Sequence, residues 1–318
     1  MRHPFINGEG RLRAGWRLLA QFLLNNAGAL LLGSLILVAV GGLSAGGTGQ
    51  APPAYLNAAL YAGAALSATA SVWVAGRFLD RRPFSGFGLR LNRVWWSDLG
   101  FGLLLGGLLM TVIFLVQLAA GWVTVTGAFE AVGGGAFFPA VLTPVALFLC
   151  VGFYEELVSR GYQLTNLAEG LNATRIGPRG AVLLAWVLSS SFFGLLHIFN
   201  PNTTILSTLN IVLAGLMLGF GYVLTGELAI PIGLHVTWNL FQGNVYGFPV
   251  SGLDPIGATV LTTEQAGPDL LTGGPFGPEG GLLAPAAMVL SLVLISLRIR
   301  RRTGKLSLHT PLVESPNR

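Results

Sequence analysis

The chain has 318 residues, 53% of them hydrophobic and only 10% charged, with a mean hydropathy of +0.68. A soluble domain carries roughly 25% charged residues, so this chain lacks the polar surface needed to cover a globule. Its formal net charge of +5 is dispersed in short groups between apolar runs, which excludes the basic face of a nucleic-acid-binding groove.

The apolar residues come in runs long enough to cross a bilayer, about 20 residues for a helix. In chain order the predicted spans are Leu18–Leu43, Ala54–Ala75, Leu99–Val123, a segment around Phe137–Leu167, Ala181–Phe199, Ile205–Leu224, Leu228–Val245 and Leu282–Ile299. Backbone groups in lipid must be paired within their own segment. The expected fold class is therefore all-α, a polytopic membrane protein with about eight transmembrane helices. The first run is too long, and too soon followed by others, for a cleaved signal peptide.

The basic residues set the orientation. Arg2, Arg11, Arg13 and Arg17 precede the first span, and Arg77, Arg81, Arg82, Arg90 and Arg93 lie between the second and third. Arg160, Arg175 and Arg179 follow a pair of glutamates in the fourth, and Arg298, Arg300, Arg301, Arg302, Lys305 and Arg318 close the chain. The alternate loops carry Glu130, Asp254, Glu264, Asp269 and Glu279 but no Lys or Arg. By the positive-inside rule both termini are cytoplasmic and the span number is even. Residues 1–318 read as one membrane domain of the inner (plasma) membrane, with its polar helices at about 140–245. A Gly- and Pro-rich extracytoplasmic loop covers 246–281 and a cytoplasmic tail covers 300–318. Lone Cys150 permits no intramolecular disulfide and packs as a small apolar residue. Gly102/Gly106 and Gly215/Gly219 have the four-residue spacing of close helix packing.

Three ionisable groups interrupt the fourth run, "FYEELVSRGY". Charges at depth in a helix cost at least ~2.5–3.5 kcal/mol each, which makes them functional candidates. Glu156 and Arg160 stand at i and i+4 in the favourable order for a helical ion pair. Glu155 is rotated about 100° from Glu156, which frees it to face another environment. The fifth run ends in "FFGLLHIFN", with His197 one turn after Phe193, and the seventh contains "LHVTWN", with His235 and Asn239 on one face. The remaining histidines, His3 and His309, lie in the tails. Carboxylates, imidazoles and an amide in apolar helices can supply a base, proton donors and an oxyanion partner. A structural polar cluster is the plain alternative. A proton-relay transporter is disfavoured, because the charges gather in one region and no paired interrupted helices are visible.

"EELVSR", "FGLLH" and "HVTWN" occur in the order of the EExxxR, FxxxH and HxxxN-type motifs of a known family. The chain resembles the CAAX-prenyl-protease and bacteriocin-processing family of intramembrane proteases, whose eukaryotic members cleave the last three residues from prenylated proteins. The resemblance implies that Glu155 activates a water molecule with help from His197. It implies that His235 and Asn239 hold the oxyanion, while Glu156 and Arg160 support the site. The expected substrate is a membrane-associated peptide or protein; no cofactor and no nucleic acid are expected. Two histidines and a glutamate could also bind Zn²⁺, so a zinc-dependent version of the protease is one alternative. A non-catalytic immunity or scaffold protein is another, since bacterial relatives include immunity proteins.

The mechanism sets a geometric condition. If the fourth helix stopped near Tyr154, Glu155 would lie at the cytoplasmic face, about 24 Å from the depth of His197. The helix should therefore start late, near Pro144, and continue to about Leu167, with helical backbone at least from Leu147 to Leu164. Glu155 then sinks towards mid-membrane.

Overall fold

The computed structural model describes residues 4–43 and 54–315; Arg2, His3 and Arg318 lie outside them. Helices dominate: α1 (Ala14–Leu43), α2 (Ala54–Ala75), α3 (Arg93–Ala119), α4 (Phe137–Glu156), α5 (Thr165–Leu171), α6 (Gly177–Leu195), α7 (Ile205–Thr225), α8 (Ala229–Leu240), a single turn α9 (Asp269–Thr272) and α10 (Leu283–Thr303). Among the described residues, seven helical stretches are long and apolar enough to cross a membrane. The predicted seventh span, Leu228–Val245, is helical from Ala229 onward: the 12 residues of α8 run into a five-residue π-helical turn, Phe241–Val245.

Glycines at helix crossings allow backbone-to-backbone packing. A Cβ on Gly102 would sit 2.5 Å from the Ile230 carbonyl oxygen, and one on Gly106 would sit 2.4 Å from that of Leu234. These two residues bring α3 against α8. Gly215 and Gly219 do the same for α7 against Ser190 and Trp186 of α6. The apolar core lies between these helices, with Leu109, Met110, Leu157, Tyr222 and Leu234 fully buried.

Three expectations are corrected. Val123, placed at the end of the third span, instead begins a strand: α3 starts at Arg93 and ends at Ala119. Strand β1 (Val123–Ala131) pairs antiparallel with β2 (Ala258–Gln265), with a register shift between Val125 and Gly127. This sheet converts much of the 246–281 loop into folded structure. The predicted fifth span runs too far, because α6 stops at Leu195 and His197 lies in the following turn. The fourth helix starts at Phe137, not near Pro144, which lies inside it. Membrane helices tolerate such a proline because neighbouring groups satisfy the freed backbone.

The termini meet at the end of the bundle opposite the sheet, in a second buried ionic cluster. Arg17 pairs with Asp80 at 2.6 Å and Glu169 at 2.7 Å, and Arg11 reaches Glu169 at 2.7 Å. Tyr162 donates to Asp80 at 2.8 Å. Arg11 and Arg17 are 2% and 1% exposed, so they are structural members of the bundle as well as orienting charges. Charge is thus not confined to one region. The tail folds back as well: His309 N–H donates to the Val223 carbonyl at 2.7 Å, and Leu312 and Val313 are buried.

Candidate active site

Helix four does not end at the glutamates. From Phe137 to Leu171 the backbone is helical over 35 residues, roughly 50 Å at ~1.5 Å per residue. Glu155 therefore sits near its middle. The stretch Leu157–Leu164 is π-helical, a local widening often found at functional sites. No residue pattern announced it. Gly152 fixes the height of the glutamates against α8, since a Cβ there would sit 2.5 Å from Val236 Cγ2.

The two glutamates face different surroundings. Glu156 is fully buried; its Oε1 accepts from Arg160 Nη1 at 2.7 Å and from His235 Nδ1 at 2.8 Å. Arg160, 1% exposed, also donates to the Gly215 carbonyl at 2.9 Å and lies 4.5 Å above the Phe193 ring. Glu155, with its side chain 22% exposed, accepts from Tyr154 Oη at 3.3 Å and lies 3.9 Å from His235 Nε2. The i, i+4 pairing read from sequence is present, and the residue left over points elsewhere.

A cavity of about 400 Å³ is lined by Glu155, His197, His235 and Asn239 together. His197 donates from Nδ1 to the Phe193 carbonyl at 2.8 Å, one of the last carbonyls of α6, which have no helical partner. A carbonyl only accepts, so Nδ1 carries the proton and neutral His197 keeps an Nε2 lone pair. Phe193 also meets His235 edge-on at 6.1 Å between ring centroids. Asn239 is 7% exposed and its side chain makes no hydrogen bond among the described residues. Among them, no group of three His, Cys, Asp or Glu side chains is arranged to hold a metal ion. The donors closest to that description are Glu155, His197 and His235, whose two Nδ1 atoms are already engaged.

All six predicted residues thus form one constellation, four on the cavity and Glu156–Arg160 behind it. Several other lining residues were not singled out from sequence: Asn25 of α1, Tyr61 of α2, and Asp254 and Glu279 from the 246–281 loop. Asn25 carried a signal, an amide inside the first apolar run.

Residues 137–241 match the family described as type II CAAX prenyl endopeptidase Rce1-like. The matched segment, about a third of the chain, runs from the first residue of α4 to just past α8 and contains all six residues, in a multi-pass membrane protein. The chain is also similar to a Bacillus subtilis (strain 168) protein called uncharacterized protein YyaK, 24% identical over 203 residues. The alignment covers 61% of this chain and 63% of that relative's length. No solved structure matches the chain.

Proposed function

We propose that the protein is an intramembrane endopeptidase in which Glu155 activates water to hydrolyse a peptide bond of a membrane-associated substrate. The Rce1-like match supports a protease of the CAAX type. The observation that carries the finer reading is the shared cavity, where Glu155 lies 3.9 Å from His235 Nε2 and both His197 and Asn239 form the wall.

In this reading the Glu155 carboxylate takes a proton from water as the water oxygen attacks the carbonyl carbon. The Nε2 lone pair of His197 orients that water. Negative charge then develops on the carbonyl oxygen, where Asn239 offers an unpaired amide and His235 donates from Nε2. An imidazole that already gives Nδ1–H to Glu156 must be protonated to donate again from Nε2. Collapse of the intermediate breaks the C–N bond, with the proton held by Glu155 passing to the leaving amine. Glu156 and Arg160 position His235 and do not touch substrate. No metal is required, because water is activated by the carboxylate.

In this reading both termini lie on the cytoplasmic side of the plasma membrane, with residues 246–281 as the extracytoplasmic cap of the catalytic helices. The test is cleavage of quenched fluorescent peptides by the full chain in lipid vesicles, with metal content measured in parallel. Glu155→Gln should lower kcat by at least ~100-fold, the usual weight of a general base, with no stoichiometric metal in the active protein. Unchanged turnover by Glu155→Gln would refute the role of Glu155. One bound Zn²⁺ per active chain, with activity lost on chelation, would favour the zinc-dependent version.

A further inference from the structure

The cavity is acidic in a way the proposed hydrolysis does not use. Besides Glu155, its wall contains Asp254 and Glu279, and among the described residues no Lys or Arg lines it. Glu279 is 5% exposed and held rigidly: Oε1 accepts from Trp238 Nε1 at 3.1 Å, and Oε2 accepts from Ser251 N and Oγ at 2.9 and 2.8 Å. These donors are neutral, so its charge has no counter-ion. Asp254 is exposed at the wall and makes no hydrogen bond or ion pair among the described residues. Its backbone is fixed by the Val250–Leu253 bridge and by Gly252 N–H donating to the Phe276 carbonyl at 2.9 Å. Arg160 does not line the cavity; it donates to Glu156 and to the Gly215 carbonyl behind the wall. Asn239, 93% removed from solvent and unpaired, adds a polar group still awaiting a partner in this cavity.

We propose that Asp254 and Glu279 select substrates carrying a lysine or arginine near the scissile bond, and that the protein disfavours peptides presenting a carboxylate there. The proposal rests on the peptidase reading for its substrate, and on the cavity alone for its sign. A cationic side chain meets an unpaired, exposed carboxylate at the wall. A glutamate side chain, or a free C-terminal carboxylate placed there, meets like charge, and among the described residues no Lys or Arg lines the cavity to offset it.

The experiment uses the full chain in phosphatidylcholine vesicles, whose surface adds no net charge. Peptides identical except for Lys, Gln or Glu near the cleaved bond are compared, and each is also made amidated or with a free C-terminus. The Lys peptide should exceed the Glu peptide in kcat/KM by about tenfold or more at low salt. Asp254→Asn should bring the two within about threefold. Equal rates, a preference for Glu, or a ratio unmoved by Asp254→Asn would overturn the proposal. If no peptide is cleaved, the peptidase reading fails, and fluorescence anisotropy of the same peptides decides the present one. Tighter Lys binding lost in Asp254→Asn supports it; equal binding of Lys and Glu peptides overturns it.

Discussion

The division of labour between the glutamates gives the sharpest expectation. Glu156→Gln changes one buried oxygen to an amide. The retained oxygen can still accept from Arg160 or His235, but the negative charge that balances the guanidinium is gone. Arg160, 1% exposed, is left with the Gly215 carbonyl and the Phe193 ring. In the native site Glu156 Oε2 is buried without a partner, so the new NH₂ group enters a place that offers no acceptor. Removing one member of a buried ion pair costs about 3–5 kcal/mol. Glu155→Gln is different: its side chain is 22% exposed, and its contacts are a 3.3 Å hydrogen bond and a 3.9 Å approach to His235. Its loss should cost less than about 1 kcal/mol. At about 2 °C per kcal/mol for a chain of this size, Glu156→Gln should lower the unfolding midpoint by about 6–10 °C, and Glu155→Gln by less than about 2 °C. Intrinsic-fluorescence melting of the purified protein in one detergent reads both. Activity should fall in both variants, for unlike reasons. Equal midpoints for the two variants would refute the assignment of Glu156 to support and Glu155 to chemistry.

Gly152→Ala places a methyl group 2.5 Å from Val236 Cγ2 and 3.0 Å from Val236 N, so α4 must shift from α8; a loss of about 1–3 kcal/mol with reduced turnover is expected, and full stability would contradict the packing. In the tail, burial first and then nearby Arg90 hold the His309 imidazole below its ordinary pKa. The docked tail therefore favours neutral His309: docking is full above the unfolded value of about 6.5 and weakens as pH falls through it towards the folded one. A spin label at position 307 in a Cys150→Ser background should gain mobility between pH 7.5 and about 5.5, and His309→Gln should abolish that dependence. For topology, a cysteine at position 270 should react with an impermeant maleimide on intact cells while one at position 305 should not; the reverse pattern would invert the orientation.

What was legible in the sequence was local or periodic. An apolar run declares a span by length alone, and Gly102/Gly106 declare close packing by spacing. The i, i+4 order of Glu156 and Arg160 declares their pair, and it forms at 2.7 Å. Strands β1 and β2 left a signal that the eye for spans passed over. Residues 258–265, "ATVLTTEQ", are rich in β-branched residues, which favour strands. The ionic cluster of Arg11, Arg17, Asp80 and Glu169 left none, because each member looks like an ordinary charge at a helix end. Their distance along the chain, 63 residues from Arg17 to Asp80 and 152 to Glu169, hides a contact that only folding makes.

The same separation explains why the candidate site was readable in its motifs and not in its walls. Glu155, His197, His235 and Asn239 come from two neighbouring helices and the turn that follows a third, each in a short pattern whose chemistry is recognisable by itself. Asp254 and Glu279 come from a loop whose composition suggests only turns. They reach the cavity because Glu279 is drawn in by Trp238 and Ser251, and because Asn210 donates to the carbonyls of Glu279 and Gly281 at 2.8 and 2.9 Å. In the proposed peptidase the catalytic pattern belongs to the helices, whereas the charge that a substrate would meet is set by the segment folded over them. If so, proteins sharing the helical motifs can differ in substrate through this segment alone, and exchanging residues 250–256 between two of them should move charge preference without moving the pH profile of turnover.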